Sequence, residues 1–227
     1  MEEKKPLVLF DIDGTLVRRA GPHHREALVD AVRHVTGIET TTEDVPVAGM
    51  LDPDILGIMM ERAGMKRQGI RTAMPAIIAR AQETYGECCP DLGRKVCPGV
   101  RRTLKRLQGG GIRLGLVTGN LTRIGWMKLE RAGLKQYFEF GAFAETAKDR
   151  AGLVKVAMRH ARVQGWIGRG TPVALIGDHP NDVNAAKANK IRSIAVATGP
   201  ASYTELLEHG PDILLPDLRA FDLEMLQ

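Results

Sequence analysis

Short, nearly uninterrupted apolar runs recur along this chain, and segments with helical periodicity lie between most of them. LVLF (7–10), RLGLVTGN (113–120), FEFGAF (138–143), PVALIGD (172–178), RSIAVATG and DILL (212–215) are rich in Val, Ile, Leu and Phe and close on turn residues. A segment that is apolar at consecutive positions has no face to spare for water, so it suits a strand covered on both sides, as in a parallel sheet. GVRRTLKRLQ (99–108), LTRIGWMKLERAG (121–133), AGLVKVAMRHARV (151–163), NDVNAAKAN (181–189) and SYTELLEHG (202–210) read as helices between the strands. This alternation predicts an α/β fold: a doubly wound, mostly parallel sheet with a Rossmann-like core.

One region breaks the alternation. From residue 18 to about 95 no convincing strand occurs, and HHREALVDAVRHVTG (23–37), DPDILGIMMERAGM (52–65) and RQGIRTAMPAIIARAQETYG (67–86) all read as helices. Asp52 followed by Pro53 looks like a helix start, with Asp as the N-cap. Gly37, Gly64 and Gly86 look like stops. Pro75 predicts a kink or a division into two shorter helices. The expected organisation is a core formed by residues 1–17 and 96–227, with an inserted all-helical cap at 18–95. LVRRAGP (16–22) leads out of the core and CPDLGRKVCPGV (89–100) leads back.

Composition narrows the function classes. The chain has 227 residues, a formal charge of +5, 44% hydrophobic residues and only 4% aromatics. That is enough apolar material for a real core. A nucleic-acid surface needs clustered basic residues and stacking rings, and neither is visible. No run reaches the length of a membrane span. The charged start MEEKK argues against a cleaved export signal. Cys88, Cys89 and Cys97 cannot all pair and lack a nearby histidine for a zinc site, so reduced thiols and a cytoplasmic location are expected.

The chemistry gathers where the strands end. In open α/β sheets, ligands bind outside the carboxyl ends of the strands. There the sequence places Asp11-Ile12-Asp13-Gly14-Thr15, then Thr118-Gly119-Asn120, then Gly177-Asp178-His179-Pro180-Asn181-Asp182. Two carboxylates two residues apart at a strand mouth repel each other and need a positive partner. Asp11, Asp13 and Asp178 together suit a hard divalent cation such as Mg²⁺, which prefers oxygen ligands and commonly shares a substrate phosphate. Asp11, held by the strand end, is the candidate nucleophile for an aspartyl-phosphate. Asp13 is the candidate acid/base, giving a proton to the leaving group and later taking one from water. Backbone amides around Gly14 and Gly119, with the Thr118 hydroxyl, are candidate binders of the phosphoryl oxygens.

With these motifs in hand, the sequence resembles the haloacid-dehalogenase-like hydrolase superfamily, and within it the phosphoglycolate-phosphatase-like group. FDIDGTL matches the first family motif, LVTGN the second and GDHPND the fourth. The resemblance implies a Mg²⁺-dependent phosphatase with Asp11 as nucleophile, Asp13 as acid/base, and Asp11, Asp13, Asp178 and Asp182 around the metal. It implies a phosphate site at Gly14, Thr118, Gly119 and Asn120, and a cap placed where the helical insertion lies. The third motif departs from the family. A lysine followed by proline is usual, but AETAKDRAGLVKVA has none. Arg150 is the first choice for the cation on the phosphate side, with Lys148 the close alternative and Lys155 a distant one.

Several residues have plainer readings. Asp182 suits the cap of the helix after it, with or without a metal role. His179 reads as a turn residue, and His23 and His24 as surface residues at a helix start. Met50, Met59, Met60 and Met65 suit cap core. Arg62, Lys66, Arg67 and Arg71 suit a solvated face. The expected partner is a small phosphorylated metabolite, with no nucleic acid and no membrane, for a monomer or homodimer. A sugar phosphomutase of the same superfamily and a non-catalytic, receiver-like phosphate-binding module are the alternatives.

Overall fold

The computed structural model describes residues 5–18 and 21–227. The charged MEEK start and two residues of the outgoing linker lie outside the described residues. Six strands form one sheet: β1 (Leu7–Phe10), β2 (Arg113–Val117), β3 (Phe140–Ala142), β4 (Val173–Gly177), β5 (Arg192–Val196) and β6 (Ile213–Leu215). Their order is β3-β2-β1-β4-β5-β6, and every pairing is parallel. β1 is central and wholly buried, which explains why LVLF shows no polar alternation.

Five helices follow the core strands or precede them: α4 (Val100–Gly109), α5 (Thr122–Arg131), α6 (Arg150–Val163), α7 (Pro180–Ala188) and α8 (Tyr203–Glu208). The sheet order reverses direction on either side of β1, between β2 and β4. Such a switch point opens a crevice at the carboxyl ends of the strands. Asp11, Thr118 and Asp178 each follow directly on β1, β2 and β4 there.

Three helices separate β1 from α4: α1 (His23–Thr36), α2 (Asp52–Arg62) and α3 (Arg67–Cys88). Leu28, Ala31, Val32, Met59, Met60, Ile77 and Tyr85 are buried along them. The entering and returning chains pair at the crossing. Val17 bridges antiparallel to Val96, Arg18 N–H donates to Lys95 O at 2.7 Å, and Cys97 N–H donates to Leu16 O at 3.0 Å.

Three local expectations need correction. α3 runs unbroken through Pro75 and past Gly86 to Cys88; glycine lowers helix propensity, but tertiary packing overrides it here. Gly37 does end α1, in the left-handed region at φ 70°. Asp52 is not the N-cap of α2. Leu51 holds that position, and the Asp52 side chain turns into the core instead.

Candidate active site

Asp11 extends β1 by one rung, its N–H donating to Ile176 O at 3.0 Å. It shares a buried cluster with Asp178 and Asp182, in which one oxygen from each lies within 4.8 Å of the others. Asp178 follows β4 directly, and Asp182 belongs to the first turn of α7. The backbone is shaped to let them in. A Cβ on Gly14 or Gly199 would overlap the Asp178 carboxylate, and one on Gly177 would overlap Asp182. Gly14 also sits at φ +85°, a conformation that glycine adopts without strain.

Among the described residues, one cation faces these three acids. Arg150, the first residue of α6, places Nη1 3.0 Å from Asp11 Oδ1 and 2.9 Å from Asp182 Oδ1. A single guanidinium does not balance three carboxylates. Burial, followed by the charge of Asp11 and then Asp182, pushes the Asp178 carboxyl well above the usual range. Burial pushes Asp182 up to about 7 despite Arg150. A hard divalent cation fits this donor set: all oxygen, excess negative charge, closely spaced. The Arg150 Nε is buried and has no partner among the described residues, so it is a donor held for an acceptor the protein does not supply. Lys148, by contrast, is exposed.

Asp13 has a different environment. Its side chain is 41% exposed, and both its oxygens lie 2.7 Å from Lys128 Nζ. Asn120 Nδ2 donates to the same carboxylate at 2.7 Å. Burial acts to raise its pKa, but the charge and hydrogen bonds of Lys128, with the bond from Asn120, outweigh it and hold the group below the usual carboxylate range. The Asp13 side chain lies outside the group formed by Asp11, Asp178 and Asp182 and faces Lys128 instead. Past the end of β1 the chain turns, and this carboxylate meets its own cation.

Asn120 uses every polar atom of its side chain. Oδ1 accepts from Lys128 at 2.6 Å, and Nδ2 donates to Asp13 and to Thr118 Oγ1, each at 2.7 Å. Thr118 is fully buried. Its oxygen accepts from Asn120, which leaves the hydroxyl proton to donate elsewhere. The Gly14 N–H, expected to face phosphate, instead donates to Val17 O at 2.8 Å and closes the turn. Gly119 lies against the helical insertion: its O accepts from Asp52 N at 2.8 Å, and a Cβ there would overlap Met50 O.

Asp182 caps α7 as well as joining the acids. Its Oδ2 accepts from His179 N at 3.1 Å, and His179 is the N-cap residue, its Nδ1 accepting from Asn181 N at 3.2 Å. The stretch before α2 closes over this turn, with Gly49 O accepting from Asn181 Nδ2 at 2.8 Å.

Lys128, His24 and Asp52 are the residues that sequence reasoning missed. Lys128 is 1% exposed and occupies the buried face of α5 with Ile124, Gly125 and Leu129. A lysine at that helical phase was the available signal. His24 bridges to it from α1, and its side chain, 17% exposed and bonded on both ring nitrogens, corrects the reading of His24 as a surface residue.

The model of the haloacid dehalogenase-like hydrolases matches residues 8–196. The chain belongs to this family, and within it to the phosphoglycolate-phosphatase-like group of phosphatases. It is 29% identical over 226 residues to the phosphoglycolate phosphatase of Pseudomonas savastanoi pv. phaseolicola, covering 94% of this chain and 77% of that one. It is 29% identical over 227 residues to the phosphoglycolate phosphatase of Agrobacterium fabrum, covering 95% of this chain and 90% of that one. Solved structures share the fold. A predicted phosphoglycolate phosphatase from Haemophilus somnus superposes with TM-score 0.68 at 18% identity, covering 96% of each chain. The β-phosphoglucomutase of Clostridium difficile superposes with TM-score 0.70 at 16% identity, covering 96% of this chain and 93% of that one. No helix among the described residues is long and apolar enough to cross a membrane.

Proposed function

We propose that this protein is a Mg²⁺-dependent phosphatase that hydrolyses a small, phosphoglycolate-like phosphomonoester through an aspartyl-phosphate on Asp11. The observation that carries the reading is the buried cluster of Asp11, Asp178 and Asp182, opposed among the described residues by Arg150 alone. These three carboxylates would hold the cation. When bound, it offsets their charge and screens the approach of Asp11 to an anionic phosphate.

The chain's own residues supply the rest. The Asp11 carboxylate oxygen bonds to phosphorus as the bond from phosphorus to the ester oxygen breaks; Asp13, ionised in the free protein, passes to that oxygen a proton that it takes from the monoanionic substrate or from solvent as the complex forms. Asp13 then takes a proton from water as the water oxygen attacks phosphorus. Phosphate leaves and Asp11 is restored. Arg150 through its unpartnered Nε, and Thr118 through its hydroxyl proton, hold the phosphoryl oxygens. Asn120 orients Thr118 and Asp13. Residues 18–95 serve as a cap that excludes bulk water over the cleft and selects the leaving group.

A panel of phosphorylated metabolites with Mg²⁺, run on wild type and Asp11→Asn, tests this. The variant should fold and lose turnover by on the order of 10⁴-fold or more. Full activity in Asp11→Asn would remove the nucleophile from the account. Turnover only in the presence of a sugar bisphosphate primer would make the protein a mutase instead.

A further inference from the structure

The Lys128 ammonium is surrounded on all sides by acceptors. It meets both oxygens of Asp13 at 2.7 Å, Asn120 Oδ1 at 2.6 Å and His24 Nδ1 at 3.2 Å. An ammonium has three donors and no acceptor, so each proton has a destination. This also fixes the His24 tautomer. Nδ1 faces a group that only donates, so Nδ1 accepts and the ring proton sits on Nε2. That proton points at Asp52 Oδ2, 3.0 Å away. The same Asp52 oxygen accepts from Leu121 N at 2.8 Å, and Tyr85 packs edge-on against the His24 ring with centroids 5.7 Å apart.

The chain of contacts therefore runs Asp52–His24–Lys128–Asp13. Its first two members belong to the helical insertion and its last two to the core. The insertion is seated on the start of α5 by further contacts: Asp52 accepts from Leu121 N, and Gln82 Oε1 accepts from Arg123 N at 2.8 Å. These satisfy N–H groups that a helix start leaves without intrahelical partners.

We propose that Lys128 is the positioning residue for Asp13, and that His24 and Asp52 hold Lys128 so that the aim of the Asp13 carboxylate depends on the helical insertion. The inference rests on the acid/base role given to Asp13 above. It concerns where the carboxylate sits rather than how it titrates. Lys128 itself touches neither phosphorus nor leaving group.

p-Nitrophenyl phosphate separates the two halves of the reaction. Its phenolate leaves without needing a proton, so formation of the Asp11 phosphate makes little demand on Asp13. Hydrolysis of that intermediate still requires Asp13 to take a proton from water. In Lys128→Met, kcat for this substrate should fall on the order of 10²-fold. kcat/KM should stay within about threefold of wild type, so that KM falls with kcat. A burst of nitrophenol equal to the enzyme concentration should precede the slow phase, as the phosphoenzyme accumulates. Loss of kcat and kcat/KM together, or no loss of kcat, overturns the proposal. Should Lys128→Met fail to fold by circular dichroism, His24→Asn carries the test. It keeps the lysine and removes its support, and the same split should appear at about three- to tenfold, with an unchanged kcat counting against the proposal. Asp11→Asn run alongside keeps the two ideas apart, since turnover in that variant would defeat the phosphatase reading whatever Lys128 does.

Discussion

Asp11 and Asp13 stand two residues apart, yet their surroundings differ in the sign of the charge imbalance. Around Asp11, three buried carboxylates meet one arginine, and burial drives Asp178 and Asp182 towards their protonated forms. Around Asp13, one carboxylate meets Lys128 with His24 nearby, and the group stays ionised. The first arrangement calls for a cation from outside. The second already contains one. A shared motif thus divides at a strand end into a metal-seeking half and a self-neutralised half, and the difference comes from which helix each side chain meets: α6 for Asp11, α5 for Asp13.

The comparison breaks most severely if Arg150 is removed. Arg150→Ala leaves Asp11 and Asp182 without their buried partner, and should destabilise the protein by about 3 kcal/mol at pH 7, by denaturant unfolding. The deficit should shrink as pH falls through about 7, where Asp182 takes up its proton. Lys148→Ala is the control, with both stability and turnover expected to stay near wild type. A Lys148 effect as large as that of Arg150 would return the phosphate-side role to the lysine.

Asp13→Asn strands the buried Lys128 ammonium. The expected loss of stability is about 1–2 kcal/mol, below that of a fully buried pair because Asp13 is 41% exposed. A stabilised Asp13→Asn protein would contradict the self-neutralised description.

The smallest effects are in the pH dependence, where the two halves should carry opposite signs. Asp178 and Asp182 have folded-state pKa values raised above an unfolded value near 3.8, to about 7 for Asp182. The stability they contribute is present below pH 4 and lost as pH rises through their folded-state values, about 7 for Asp182. Asp13, lowered from 3.8, contributes stability that is present above that value and lost as pH falls through its folded pKa. In melting experiments without metal, Asp178→Asn should gain stability relative to wild type as pH rises above 4. Added Mg²⁺ should stabilise wild type more as pH rises through the same window, because protons compete for its ligands. A Mg²⁺ effect that is flat across it would separate the metal from these carboxylates.

The sheet was legible because consecutive apolar residues have few other uses in a chain of this length: all six runs contain strands. Asp11, Asp178 and Asp182 were legible because strand-end turns carry them, and Arg150 because it opens a helix near that edge. The Asp13 environment was not. Its partners come from the second turn of α5, the start of α1 and the start of α2, and no local pattern ties these together. Lys128 lies on a helix whose exposed face is also basic, so only its phase with Ile124 and Leu129 distinguishes it. Asp before Pro points to a cap on its own helix at Asp52. In the fold Asp52 reaches across to Leu121 N at the start of α5 and to His24 of α1, and these two long-range contacts outweigh one local hydrogen bond.

Calorimetric Mg²⁺ binding to Asp178→Asn and Asp13→Asn, compared with wild type, tests the division between the two carboxylate environments most directly. Asp178→Asn should lose measurable affinity, while Asp13→Asn should bind with an affinity within about threefold of wild type. Equal loss in both variants would mean that the side chains of residues 11, 13 and 178 serve one ion together, and that Lys128 does not set Asp13 apart.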